Sequence, residues 1–228
     1  MARKHPAVTP ALPLCAALYV FLALASHVHG QATLQKLGDS LYRIGQLRVD
    51  TAKRELSAPA TINDVLTLEF AANTKGGLKA YESAITIDSD AITFNAALLL
   101  LGLDPSHGRP SKFQFDPDTP QGDPVSVEIA WGNRRVGIEE LLLDQRSNKT
   151  MKAGPWVYTG STFYDVGQGR QFLAEMDGVL VGMMHGPAAL IENPRNDAAN
   201  GYGSLIINPK LGIPPGSAVT VIVTALKK

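Results

Sequence analysis

Past position 15 the chain has no cysteine: Cys15 is the only one in 228 residues. A chain without thiols beyond that point forms no disulfides, carries no cysteine nucleophile and builds no thiolate zinc site or all-cysteine iron–sulfur cluster. An excess of either charge is also missing, with 21 basic against 21 acidic residues. That balance gives no electrostatic case for nucleic acid or an anionic membrane surface as partner. Histidine is scarce. Of five, His5, His27 and His29 fall in the first thirty residues, leaving His107 in a long polar loop and His185 beyond it. With no H-x-H or H-E-x-x-H spacing, no metal site is expected. Asp116, Asp118 and Asp123 share a loop but lack the order of a calcium-binding hand. No glycine-rich phosphate loop runs from a strand into a helix, and Gly167 and Gly169 around Gln168 read as turn residues. The expectation is therefore no cofactor. Beyond residue 30 no apolar run is long enough to span a membrane.

The first thirty residues differ from the rest. Arg3 and Lys4 begin them, an apolar run follows from Leu12 to Ala25, and Ser26-His27-Val28-His29-Gly30 closes them. This is the three-part order of a secretory signal peptide, with an apolar stretch shorter than the roughly 20 residues of a spanning helix. Val28 and Gly30 suit the −3 and −1 positions, so cleavage is expected after Gly30, with Ala25 as the other option and an uncleaved anchor as the competing reading. Cys15 sits inside the apolar run behind Leu14, which suits filler better than a lipid anchor. The expected organisation is a signal peptide over 1–30 and a single β-rich domain over 31–228, exported and either periplasmic or extracellular. That remainder has a formal charge of −2 and is long enough to bury a core without disulfides.

Strand signals recur along it. Pro124 to Trp131 alternates, with Val125, Val127, Ile129 and Trp131 on one face, and Gly132-Asn133 leads to a second strand over Arg134 to Ile138. Gln171 to Met176 and Val179 to Met184 flank Asp177-Gly178, which predicts another hairpin with a type I′ turn. Val219 to Val223 is a β-branched run behind Pro214-Pro215-Gly216. Weaker strands are expected over Arg43 to Val49, Arg54 to Ala60, Val65 to Ala72, Tyr81 to Ile87, Trp156 to Phe163 and Ser204 to Ile207. One segment breaks the pattern: Asp88-Ser89-Asp90 offers cap oxygens, Ala96 to Leu101 is a run of strong helix formers, and Gly102 suits the C′ position. The fold class is mainly β, with α+β open: antiparallel sheets or a sandwich built from hairpins, with one short buried helix. Asp104 to Pro124, Gln145 to Pro155 and Asn193 to Gly203 read as loops, the first long enough to suggest binding or mobility.

Candidate chemistry is sparse. Lys79 and Ser83 lie four apart, and on a strand they would stand roughly 13 Å apart with Glu82 on the other face, too far for a Ser–Lys dyad. Thr159-Gly160-Ser161 lacks the glycine spacing of a nucleophile elbow. Trp156, Tyr158, Phe163 and Tyr164 sit with Thr159 and Ser161 beside a loop, an arrangement suited to a ligand surface as well as to a core. Asn148-Lys149-Thr150 matches an N-glycosylation acceptor, a pattern that matters only in a eukaryotic host.

Several stretches together resemble the YdjY-like family of exported bacterial proteins: Lys79 to Ser83 continuing to Ala96 to Gly102, Pro120 to Val125, Trp156 to Ser161, Asp177-Gly178 with the apolar run after it, and Pro214-Pro215-Gly216 with its strand. They follow in family order from about Leu47 to Leu226. The resemblance implies no biochemical activity. The family's ferredoxin-like description is not carried over as cofactor chemistry, since no cysteine remains to hold a cluster. Among matching positions, Lys79, Glu82, Ser83, Thr159, Gly160 and Ser161 are polar or small residues that a core alone does not explain.

These readings lead to an exported, non-enzymatic binding or accessory domain whose partner is a small molecule or a protein. Candidate contact residues are Lys79, Glu82, Ser83, Trp156, Thr159 and Ser161. The alternative is a hydrolase or transferase using Glu82 and Lys79 with Ser161 or His185. Convergence of Lys79, Glu82 and Ser161 in one pocket would favour the enzyme.

Overall fold

Eight strands close into a ring, and the remaining elements hang from it. The computed structural model describes residues 33–167, 169–195 and 204–227. The expected signal peptide, with Cys15, His5, His27 and His29, lies outside the described residues, as do Gln168 and most of the loop expected at Asn193 to Gly203. In chain order the first strands are β1 (Leu34–Lys36), β2 (Leu41–Ile44), β3 (Leu47–Asp50), β4 (Glu55–Ile62), β5 (Phe70–Thr74) and β6 (Ser83–Ile87), followed by helix α1 (Ala91–Leu100). Next come β7 (Asp123–Trp131), β8 (Arg134–Gly137), α2 (Ile138–Leu141), β9 (Leu142–Asp144), β10 (Lys149–Thr150), β11 (Trp156–Tyr158), β12 (Phe163–Val166) and β13 (Gly169–Phe172). The chain ends with α3 (Leu173–Asp177), β14 (Val179–Gly182), β15 (Ile191–Glu192), β16 (Leu205–Ile207) and β17 (Ala218–Ala225).

The ring runs β4-β17-β7-β11-β15-β14-β5-β6 and closes where β6 returns to β4, Ala60 opposite Ile87 and Ile62 opposite Ile85. Hairpin β2–β3 extends it from β4, with β1 beyond, and β8 pairs with β7. The expected sandwich is thus corrected to an eight-stranded barrel with extra strands; the mainly β class stands. An eight-stranded barrel is just narrow enough for side chains to fill. Alternation in β4 and β7 supplies them: Leu56, Ala58, Ala60 and Ile62 from one, Val125, Val127 and Ile129 from the other, all buried. Pro59 is tolerated inside β4 because there the strand changes neighbour, from β3 through Ser57 to β6 from Ala60, so its missing N–H leaves no ladder bond unmade.

Not every ring contact is antiparallel. β5 and β6 pair in parallel, as do β14 and β15. Residues 75–82 must therefore carry the chain back beside β5, so the strand expected from Tyr81 begins only at Ser83, and Lys79 is not on a strand. Instead a 3-10 turn, Ala80–Glu82, does the reversal with Lys79 at its N-cap. The Asp177-Gly178 hairpin is also corrected. Leu173–Asp177 is a short helix, and Gly178 at φ 75° is its left-handed C-cap residue. Arg43 to Val49 divides at Gly45-Gln46 into β2 and β3, and Trp156 to Phe163 breaks after Tyr158. Three helices are present among the described residues where one was expected. The expected one, α1, starts on Asp90 and ends before Gly102, with Phe94, Ala97 and Leu98 fully buried.

Candidate functional site

A cleft of about 300 Å³ opens at the barrel rim where Phe70 begins β5, opposite Ser83 of β6 and Gly182 of β14. Its walls are Phe70, Phe113 and Tyr164, and its polar groups include Lys79, Lys112, Gln114, Asp177 and His185. Six segments build it: the start of β5, the crossover before β6, the long loop after α1, the β12–β13 hairpin, the end of α3, and the excursion 183–190 between β14 and β15. The last supplies Met184, His185, Gly186, Pro187 and Ala188. Among the described residues larger surface depressions lie around Glu140 and Lys152 and around Arg48 and Lys53. Neither contains a buried polar side chain lacking a partner. The rim cleft does.

That group is His185, fully buried. Its Nδ1 lies 2.6 Å from the carbonyl oxygen of Asp116. A carbonyl only accepts, so Nδ1 carries the proton and donates, which in the neutral ring leaves Nε2 as an acceptor. Nε2 is buried with no hydrogen-bond partner. Leaving such an acceptor unpaired costs on the order of 1–3 kcal/mol. Nearby, Glu192 is also fully buried. Its carboxylate accepts from Ser111 N at 3.1 Å, Ser111 Oγ at 2.5 Å and Gly186 N at 3.4 Å, tying the long loop to the excursion. Burial pushes its pKa up, with the hydrogen bonds from Ser111 and Gly186 opposing.

Charges at the cleft are internally matched. Lys79 Nζ stands 2.9 Å from Glu82 Oε1, a pair made possible because positions i and i+3 eclipse in a 3-10 turn. The angles at Oε1 are poor for a hydrogen bond, so the contact is an ion pair held by proximity. Glu82, with the opposing effect of desolvation, holds the Lys79 ammonium above its usual range. Lys79 also lies 5.9 Å from the Phe70 ring centre and 5.8 Å from that of Tyr81. Lys112 pairs with Asp118 at 2.7 Å. Burial raises the pKa of Asp177, with the charge of Lys79 opposing.

The six residues singled out from sequence divide sharply. Lys79 lines the cleft, and Glu82 neutralises it. Ser83 is buried and donates through Oγ to the Lys79 carbonyl at 2.7 Å, which stabilises the turn. Thr159 and Ser161 stand behind the cleft: Thr159 Oγ1 donates to Ala189 O at 3.2 Å, and Ser161 Oγ donates to Ala188 O at 2.9 Å, with Pro187 O at 3.2 Å. Trp156 is elsewhere. Fully buried, it donates from Nε1 to Glu139 Oε1 at 2.8 Å and carries Arg195 over its ring. Lys79, Glu82 and Ser161 do not form a nucleophile–base pair, because the Ser161 hydroxyl is used on the 183–190 backbone. His185, held as an alternative, lines the same cleft as Lys79. Sequence reasoning missed Phe70, Lys112, Phe113, Gln114 and Asp177 as contacts. The length of the Asp104 to Pro124 loop was the one cue pointing toward three of them.

Elsewhere, His107 Nδ1 meets Asp123 Oδ1 at 2.9 Å, and Tyr158 donates its hydroxyl to Asn95 Oδ1 at 2.6 Å. Among the described residues no three His, Cys, Asp or Glu side chains gather as a metal site, and no helix is long and apolar enough to cross a membrane. A family model described as the YdjY domain matches residues 47–224, which takes in every cleft residue and all of the barrel strands except the last residue of β17. No curated protein and no solved structure matches the chain.

Proposed function

The chain belongs to the YdjY domain family, and on that premise we propose that the domain is a non-enzymatic binding protein whose ligand occupies the rim cleft of the barrel. The observation that carries this reading is the buried, unpartnered Nε2 of His185 in a cleft walled by Phe70, Phe113 and Tyr164. An apolar concavity with few convergent polar groups is the usual form of a small-molecule site. The groups that catalysis would require are committed elsewhere: Ser161 and Ser83 hold backbone carbonyls, and Glu82 holds Lys79. Export to the periplasm or cell exterior belongs to the same proposal. It rests on the order of Arg3 and Lys4, the apolar run and the small residues before Gln31.

The test is recovery of bound ligand. Purified protein is denatured, and released small molecules are compared by mass spectrometry with those from Phe113→Glu, which puts a charge on an exposed cleft wall. A compound retained by the wild type and lost from the variant supports the reading. A compound retained equally by both places binding elsewhere. Export is tested separately by sequencing the N-terminus of protein recovered outside the cytoplasm. A start near Gln31 is expected, and an intact Met1 would refute it.

A further inference from the structure

We propose that the ligand of the rim cleft is a small, neutral ring compound that places a hydroxyl or N–H donor on Nε2 of His185. The inference rests on the binding reading above and adds the chemistry of what binds. Polarity comes first. With Nδ1 donating to the Asp116 carbonyl at 2.6 Å, the neutral ring offers only an acceptor, and that acceptor is buried without a partner. A ligand carrying a donor removes the cost of that unpaired atom; one carrying only acceptors cannot. Charge comes second. Lys79 is paired with Glu82, Lys112 with Asp118, and the raised pKa of Asp177 resists a second negative charge beside it. Both cations are thus paired, and the burial that raises the pKa of Asp177 penalises charge on a ligand beside it as well, so the ligand is neutral.

Size and shape come third. About 300 Å³ is near the lower end of ligand sites. At about 30 Å³ for each water-sized volume it accepts on the order of ten non-hydrogen atoms. Phe70, Phe113 and Tyr164 offer aromatic walls to a flat ring. Met184, buried beside His185 in the cleft lining, adds a flexible apolar side chain that can repack around a ring.

Two matched probes test this: p-cresol, which has the donor, and 4-methylanisole, which has the same ring with the donor methylated. Each is titrated into purified, 15N-labelled protein, following amides of the cleft and the two imidazole nitrogens of His185. The expected result is p-cresol at least about tenfold tighter, with a shift at Nε2 and none of comparable size at Nδ1. In His185→Phe the preference should disappear while both probes still perturb the cleft amides. Equal affinity of the two probes for the wild-type cleft would overturn the donor inference and leave the binding reading standing. Failure of both probes to perturb any cleft amide would overturn this inference as well as the aromatic-walled site on which it rests. A proton found on Nε2 in the free protein would overturn the inference directly.

Discussion

At Gly178 the chain stands at φ 75°, and a Cβ placed there would lie 2.6 Å from Gly77 Cα and 2.7 Å from Thr74 Oγ1. Two independent costs act on any replacement: the left-handed conformation, and a collision with backbone that cannot swing aside. Gly178→Val should lower stability by roughly 2–4 kcal/mol, read as a reduced urea midpoint. An unchanged midpoint would mean that the crossover at Gly77 is not packed on α3 as described. Ser161 poses the opposite problem, a non-glycine residue at φ 59°. Such a conformation is strained for most residues and persists where the surroundings hold it. Here the holding bond is Oγ to the Ala188 carbonyl, so strain in one loop positions the next. Ser161→Ala should cost about 1 kcal/mol and speed amide exchange at Gly186 and Ala188 while leaving exchange in β7 unchanged. Ser161→Gly loses the same bond but relieves the strain, so it should cost less. If Ser161→Ala leaves exchange at 186–188 unaltered, the hydroxyl is not what holds the cleft loop. Both residues stood out in the sequence, yet for reasons that differ from their roles. Glycine after Asp177 is equally consistent with a type I′ turn and with a helix C′ position, since both need positive φ.

Elements were legible in proportion to how local their causes are. α1 was readable because its cap, its helix formers and its terminal glycine are adjacent in the chain. The β7–β8 and β17 strands were readable from alternation and β-branching. α3 was not. What selects a helix over a strand at Leu173–Asp177 lies far away in sequence: Glu175 Oε2 accepts from Ala91 N at 2.8 Å and Ile92 N at 3.2 Å, across 84 and 83 residues. α3 thus caps α1 with a carboxylate where the helix dipole favours one. Asp90 caps the same end, accepting from Thr93 N at 2.6 Å and Thr93 Oγ1 at 2.8 Å. Asp90→Ala and Glu175→Ala should each destabilise by about 1 kcal/mol in urea melts. Because both serve one helix terminus, the double variant should depart from additivity by about 0.5 kcal/mol or more. Strict additivity would show that Glu175 acts elsewhere. Lys79 and Glu82 were misplaced for a related reason: the strand that starts at Ser83 was extended back over them, where the parallel pairing of β5 and β6 forces the chain to turn back.

Barrel closure, the parallel pairs and the cleft they create are properties of the whole molecule, and no window of sequence contains them. The β4–β6 seam joins residues some 25 apart, and the 183–190 excursion becomes a cleft wall only when β15 returns beside β14. The buried carboxyl of Glu192, which ties that excursion to the long loop, was likewise invisible, yet it makes a global measurement informative. Asp50, Asp104, Asp116 and Asp144 are all held below their ordinary 3.8, chiefly by hydrogen bonds from Lys53 N, Ser106, Lys112 N and Ser147 respectively. A carboxyl lowered by folding contributes stability above its ordinary pKa and loses it as pH falls through the folded one. Stability should therefore drop as the solution is acidified below about pH 3.8. Glu192 acts with the opposite sign. Burial raises it above 4.5, so in the window just above 4.5 the folded state holds a proton that the unfolded state has released. Its contribution then declines as pH rises through the raised value, and Asp177, raised from 3.8 for the same cause, adds to the decline. Urea denaturation at a series of pH values from 3 to 8 should show a maximum on the acid side of neutral. Glu192→Gln keeps an acceptor for Ser111 but removes the proton equilibrium, so it should flatten the descent above pH 4.5 and leave the acid limb unchanged. If the variant descends as steeply as the wild type, the carboxyl joining the two loops is not desolvated, and the loop packing described around His185 does not persist in solution.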